Sequence, residues 1–323
     1  MSVRKIRGVR KGFVLLISAF LTIFCFSCKR GNNVTLSNPN QSGDSVSFLV
    51  LGDWGRDGYG DQKAVAEQMD IYSRKFHAQF VVVTGDNFYP TGVVSTSDPH
   101  WQKSFENIYS KEGHQIPWFP VLGNHDYFAN PQAEVDYSSS SRRWKMPARY
   151  YALAERINSS DSVFFVFTDT SPFVNSYHHR SMADLDEQDT TAQLGWLQKT
   201  LAGSKAKWKI AVGHHPLYSF GRHGNTDELI SSFKPIFLRS KTDLYISGHD
   251  HGLQYIKRPD DPVHYLISAG GADDYGVQED PTCKFGRAST GFLVMTLYAN
   301  KCNLYFYDGK GKLLYQDQIK KQV

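Results

Sequence analysis

Five short apolar runs each end in a glycine followed by a residue with an oxygen or imidazole donor, and this recurrence constrains the chain more than any other feature. Val46 to Leu51 leads into Gly52-Asp53-Trp54-Gly55, Phe80 to Thr84 into Gly85-Asp86-Asn87-Phe88-Tyr89, and Trp118 to Leu122 into Gly123-Asn124-His125-Asp126. Lys209 to Val212 leads into Gly213-His214-His215, and Leu244 to Ser247 into Gly248-His249-Asp250-His251. The runs are rich in β-branched and aromatic residues and read as strands. In open α/β sheets ligands bind beyond the carboxyl ends of the strands, so these donors are expected to converge on one crevice. The glycine ahead of each permits a sharp turn and a close approach of backbone. A single Gly-Asp is usually just a turn; five such endings in order require a common cause.

Further runs, Val163 to Thr168 and His264 to Ser268, alternate with helical periods at Val65, Met69, Tyr72 and Phe76 and at Leu194, Leu197 and Leu201. That alternation is the pattern of an α/β protein. Phe292 to Tyr298, Asn303 to Tyr307 and Leu313 to Gln316 read as a C-terminal meander turning at Asp308-Gly309 and Gly311. With 323 residues, 41% of them hydrophobic, the chain can bury one large core, and a single catalytic domain over residues 46–323 is expected. Two polar stretches, Tyr137 to Arg149 and Ser171 to Thr190, lack periodicity; the second reads either as an active-site cover or as a solvated loop.

The net charge of +4 is misleading until it is located. Arg4, Lys5, Arg7, Arg10 and Lys11 all precede the apolar run Phe13 to Phe26, in the order of an export signal over residues 1–28. Without those five charges the remainder carries −1, which does not support a basic surface for nucleic acid. The run is short for a membrane span, which needs about 20 apolar residues. Cys25-Phe26-Ser27-Cys28 resembles a bacterial lipoprotein signal, with Cys28 as the lipid-bearing residue and residues 29–45 as a flexible tether. A periplasmic or cell-envelope location follows from that reading. Cys283 and Cys302 are then free to pair in an oxidising compartment, and two unpaired thiols fit the sequence equally.

Asp53, Asp86, Tyr89, Asn124, His214, His249 and His251 are too many donors for one tetrahedral zinc and suit two metals sharing a bridge. Asp86 is the natural bridging carboxylate. The five blocks, continued by Leu253-Gln254-Tyr255, resemble those of the metallophosphoesterase superfamily, and specifically the small purple, or tartrate-resistant, acid phosphatases. The resemblance covers most of Phe48 to Gly271; Ala211 stands where the family usually has Val, at a strand position. It implies a sandwich of two mixed β-sheets flanked by helices. It also implies a ferric ion on Asp53, Asp86, Tyr89 and His251, and a divalent iron, zinc or manganese on Asp86, Asn124, His214 and His249. Tyr89 discriminates, because a phenolate suits a hard trivalent cation and gives the family its colour; the competing reading of Tyr89 is a core aromatic.

By the same resemblance the chain is a phosphoric monoester hydrolase in which metal-bound hydroxide attacks a phosphate ester. The departing oxygen needs a proton, and His125 and His223 are the candidate donors, whereas His215 has no counterpart in the family and reads as a packing residue. Two rival functions remain open: a phosphodiesterase or nucleotidase with the same metals, and a non-catalytic metal- or phosphate-binding lipoprotein. The latter predicts a lost ligand, and the sequence has none missing. Oligomeric state is not legible.

Overall fold

The computed structural model of the chain describes residues 33–35, 44–278 and 280–321. The expected export signal, Cys28 and most of the expected tether lie outside the described residues. Among the described residues the strands are β1 (Asn33–Thr35), β2 (Ser45–Leu51), β3 (Phe80–Val83), β4 (Trp118–Pro120), β5 (Tyr151–Arg156), β6 (Ser162–Phe167) and β7 (Trp208–Val212), followed by β8 (Leu244–Ser247), β9 (Leu253–Ile256), β10 (His264–Ser268), β11 (Cys283–Arg287), β12 (Gly291–Tyr298), β13 (Lys301–Asp308) and β14 (Leu313–Lys320). The α-helices are α1 (Gln62–Lys75), α2 (Pro131–Tyr137), α3 (Thr190–Gly203), α4 (Asp227–Ser232) and α5 (Lys234–Ser240).

The strands build two mixed sheets, one ordered β1-β5-β6-β7-β8-β10-β9-β11 and the other β14-β13-β12-β2-β3-β4. Their inner faces meet through aromatic contacts: Phe165 of β6 lies 5.3 Å from Phe48 of β2 and 5.6 Å from Phe80 of β3, edge to face in both cases. Helix α1 covers the outer face of the second sheet, with Tyr72 stacked on Tyr307 at 3.9 Å and Phe76 at 5.1 Å from Tyr305. On the outer face of the first sheet, Leu197 and Leu201 of α3 and Phe233, Ile236 and Phe237 around α5 bury Val166, Ala211 and Tyr245. Covering both faces explains why β3, β8 and most of β12 are buried along their length instead of alternating between buried and exposed.

The C-terminal meander pairs antiparallel as expected, and its last hairpin turns through Gly311 at φ +82°. Two elements depart from the sequence reading. Asn33–Thr35, inside the expected tether, pairs in parallel with β5, from Asn33 opposite Ala152 to Thr35 opposite Ala154, because β5 would otherwise present an open edge. The stretch from 137 to 149 is a packed segment: Trp144 and Met146 are fully buried, and the Trp144 indole donates to the Glu134 carbonyl at 2.9 Å. Of the two readings open for Cys283 and Cys302, unpaired thiols hold: both are free, Cys302 buried on β13 and Cys283 on β11 in the other sheet. Among the described residues no helix is long and apolar enough to cross a membrane.

Candidate metal centre

Strands β2, β3 and β4 run parallel in one sheet, as β6, β7 and β8 do in the other, so their carboxyl ends open on one edge of the sandwich. The donors leave those ends in tight turns. Gly85 takes φ +90°, and a Cβ there would stand 2.7 Å from the His214 imidazole and 2.9 Å from the Gly123 amide. Asp53, Asp86 and His249 themselves adopt left-handed φ of 58°, 48° and 70°. Such conformations cost on the order of 1 kcal/mol or more each in ordinary residues and persist where surroundings hold them. Here the Asp53 amide donates to the Gly85 carbonyl at 3.0 Å and the His249 amide to Asp53 Oδ2 at 3.1 Å.

All seven donors come together. The Tyr89 hydroxyl lies 2.8 Å from Asp86 Oδ2, 3.2 Å from Asp53 Oδ1 and 3.0 Å from His251 Nε2. A second focus adjoins it: His214 Nε2 is 3.1 Å from Asn124 Oδ1, 3.2 Å from His249 Nδ1 and 3.4 Å from Asp86 Oδ1. Asp86 thus turns one oxygen to each focus. Burial and then the Asp86 charge hold the Asp53 carboxyl well above the usual carboxylate range. Burial acts on Asp86 in the same direction but is outweighed by His214, His125 and the His125 amide, which leave it below that range. Burial, then Asp86 and Asp53, push the Tyr89 phenol upward, so it keeps its proton and donates it. A cation in place of that proton would relieve the crowding of the two carboxylates. Burial, foremost, pulls the His214, His249 and His251 imidazoles below their usual range, His251 to about 4, which favours the lone pairs that a metal takes. The donor set therefore fits two cations: oxygen-rich with a phenol at one focus, mixed nitrogen and oxygen at the other.

His215 also lies close to His214 and His249. Its two ring nitrogens, however, face the Thr170 hydroxyl at 2.8 Å and the Tyr177 hydroxyl at 2.9 Å, so it is committed to positioning. The His125 ring packs tilted against Tyr89 at 4.4 Å, and its Nδ1 lies 2.7 Å from the Pro90 carbonyl. A carbonyl only accepts, so Nδ1 carries the hydrogen and Nε2 is the position free to exchange a proton. His223 is exposed, 4.4 Å from the His249 ring, on a loop pinned by Asp250: Asp250 accepts from the His223 amide at 2.8 Å and from the Ser219 hydroxyl. A cleft of about 490 Å³ is lined by Asn124, His125, His223 and His249 together with Tyr177 and Arg180, so the 171–190 segment walls the site. His178 is turned away, paired with Asp186 and the Pro172 carbonyl.

Sequence reasoning missed the layer behind the donors. Asp126 accepts from the amides of Asn87 at 2.9 Å, Phe88 at 3.2 Å and Gly123 at 2.7 Å, clipping the turns of β3 and β4 together. The Asn87 side-chain Nδ2 donates in turn to Glu134 Oε2 at 2.8 Å. Burial and then Asp126 hold Glu134 well above the usual carboxylate range, and burial and then Asp86 push Asp126 up to about 8. Asp126 and Asp250 lie within the strand-end motifs and were findable there, whereas Glu134, on α2, carries no sequence signal.

A two-sheet sandwich that gathers carboxylate, phenol, amide and imidazole donors at its strand ends defines a metal-dependent phosphoesterase. The family model described as calcineurin-like phosphoesterase matches residues 46–253. Over 99% of its length the chain is 35% identical to purple acid phosphatase 17 of Arabidopsis thaliana, covering 97% of that protein. It is 31% identical to human tartrate-resistant acid phosphatase type 5, over 70% of this chain and 73% of that one. Among solved structures it resembles GAP50, the anchor in the inner membrane complex of Plasmodium, with a TM-score of 0.77, 25% identity, and coverage of 86% of this chain and 90% of that one. The chain belongs to the calcineurin-like phosphoesterase family and, within it, to the purple acid phosphatases.

Proposed function

We propose that the chain is an acid phosphatase that hydrolyses phosphate monoesters, with a ferric ion on Asp53, Asp86, Tyr89 and His251 and a divalent ion, iron, zinc or manganese, on Asp86, Asn124, His214 and His249. The observation that carries this reading is the Tyr89 hydroxyl within 3.2 Å of two carboxylates and an imidazole in one buried cluster. Once bound, the two cations supply Lewis acidity, lowering the pKa of water and offsetting the charge of the phosphoryl group.

The protein's own groups do the rest. His125 and His223 border the cleft from two sides and give a proton to the departing alkoxide, His125 through Nε2 because Nδ1 is held by Pro90. Asp250 fixes the height of the His223 loop, and Asp126 fixes the spacing of Asp86 and Asn124. Tyr177 and Arg180 narrow the cleft around the ester group.

The likeness to GAP50, an anchor by name, raises the alternative of a non-catalytic binding protein. Retention of every donor and of both proton-donor candidates favours the enzyme. The N-terminal order of basic, apolar and small residues supports export, with Cys28 as a lipid attachment site. A Cys28→Ser variant is then released from the membrane fraction; retention there would refute the attachment.

Initial rates on p-nitrophenyl phosphate and bis(p-nitrophenyl) phosphate test the substrate class. Faster monoester turnover with an acidic optimum is expected, and a preference for the diester would replace this reading with the phosphodiesterase one.

A further inference from the structure

At the amino ends of β7 and β8, opposite the metal centre, lies a groove of about 610 Å³ bordered by Lys205, Lys207, Lys209, Lys241, Lys320 and Lys321, with Asp243 as its one carboxylate. Six residue steps of strand and turn lead from Trp208 in its floor to His214 in the metal centre, roughly 20 Å at the rise of an extended chain. The two sites are therefore separate.

Two of the lysines are already engaged. Lys209 donates to the carbonyls of Leu201 and Ser240, both at 3.0 Å, capping the last turns of α3 and α5, and Lys321 pairs with Asp243. Among the described residues, Lys205, Lys207, Lys241 and Lys320 have no carboxylate partner. Lys241 is set at the groove by the left-handed C-cap of α5, φ 53°. Burial lowers the Lys209 ammonium; the Asp243 charge opposes this, and the charges of Lys321 and Lys241 add to it. This concentration stands on a chain whose residues beyond the N-terminal basic cluster carry a net −1. The floor adds an apolar surface, including the half-exposed Leu238.

We propose that this groove is a second binding site, for an anion carrying several phosphate groups. Four unpaired ammonium groups around a shallow hollow hold several anionic centres better than one. Lysines, being compact point charges, accept phosphate oxygens without the fixed planar geometry that arginine demands. The ligand is a soluble polyphosphate or a cluster of phospholipid headgroups, which present the same chemistry.

The test compares the native protein with the variant K205Q/K207Q/K241Q/K320Q, whose turnover of p-nitrophenyl phosphate reports that the fold and metal centre are intact. Titration with sodium tripolyphosphate, followed by calorimetry, reads the soluble source; cosedimentation with phosphatidylglycerol vesicles, against phosphatidylcholine vesicles, reads the lipid source. Each ammonium near an anionic surface strengthens attraction several-fold, so the variant is expected to bind one of the two probes at least about tenfold more weakly with turnover unchanged. Loss confined to tripolyphosphate assigns the soluble ligand, and loss confined to vesicles assigns the headgroups. Equal binding of both probes by native and variant protein, or binding of neither by the native protein, overturns the proposal.

Discussion

Tyr89 and Asp86 define the centre at the scale of single residues. The phenol faces two carboxylates and an imidazole, and Asp86 alone has an oxygen at each focus. A Tyr89→Phe variant of the metal-loaded protein is expected to lose its visible absorption band, because only a phenolate donates charge to a ferric ion; an unchanged spectrum would remove Tyr89 from the metal. Asp126 acts one layer back. Both of its oxygens accept N–H groups from two turns, and truncation to Ala leaves those amides buried without partners. The cost is expected to exceed about 3 kcal/mol in urea unfolding, since each buried orphan costs roughly 1–3 kcal/mol. Asp126→Asn gives little rescue, because its NH2 group would face a backbone N–H; full rescue by Asn would contradict this assignment.

Turns and elements hold these residues in register. Gly85 has no room for a side chain and takes a left-handed φ, so Gly85→Ala is expected to displace Asp86 and His214 together, cutting metal content as well as turnover. An Ala variant with full metal would show that the turn yields. The strand-end turns were legible in the sequence because each compresses an apolar run, a glycine and a donor into a few residues. Strand β5 was not: its Ala152 and Ala154 carry little strand preference, and its place is set by pairing with β6. Helix α2 and the buried Trp144 were hidden for a related reason, since they are held by long-range contacts such as Trp144 to Phe88 and Trp101. The 171–190 segment left two readings open, and long-range contacts such as Tyr177 on His215 and Asp184 with Arg149 set it against the cleft. Within the site, the seven donors could be read from spacing and family likeness; Glu134 could not, because it reaches the centre through long-range contacts such as that with Asn87, 47 residues earlier.

The whole molecule must keep buried histidines neutral while working in acid. Burial above all pulls His114 down to about 4 from 6.5, and its Nε2 lies 2.9 Å from the Ala66 carbonyl. Unfolded chains take up this proton near pH 6.5 and the native protein near 4. The stability this contributes, about 3 kcal/mol, is therefore complete above pH 6.5 and lost as pH falls toward 4. Gln at this position keeps the bond to Ala66 without titrating, so His114→Gln is expected to flatten the fall of Tm between pH 6.5 and 4; an unchanged slope would contradict the assignment. The account as a whole rests on two metals joined by one carboxylate. Its most direct test is elemental analysis of the purified protein beside its Asp86→Ala variant: two metal ions per native chain, at least one of them iron, and near none in the variant are predicted. One ion per native chain, or a variant that keeps both, would contradict it.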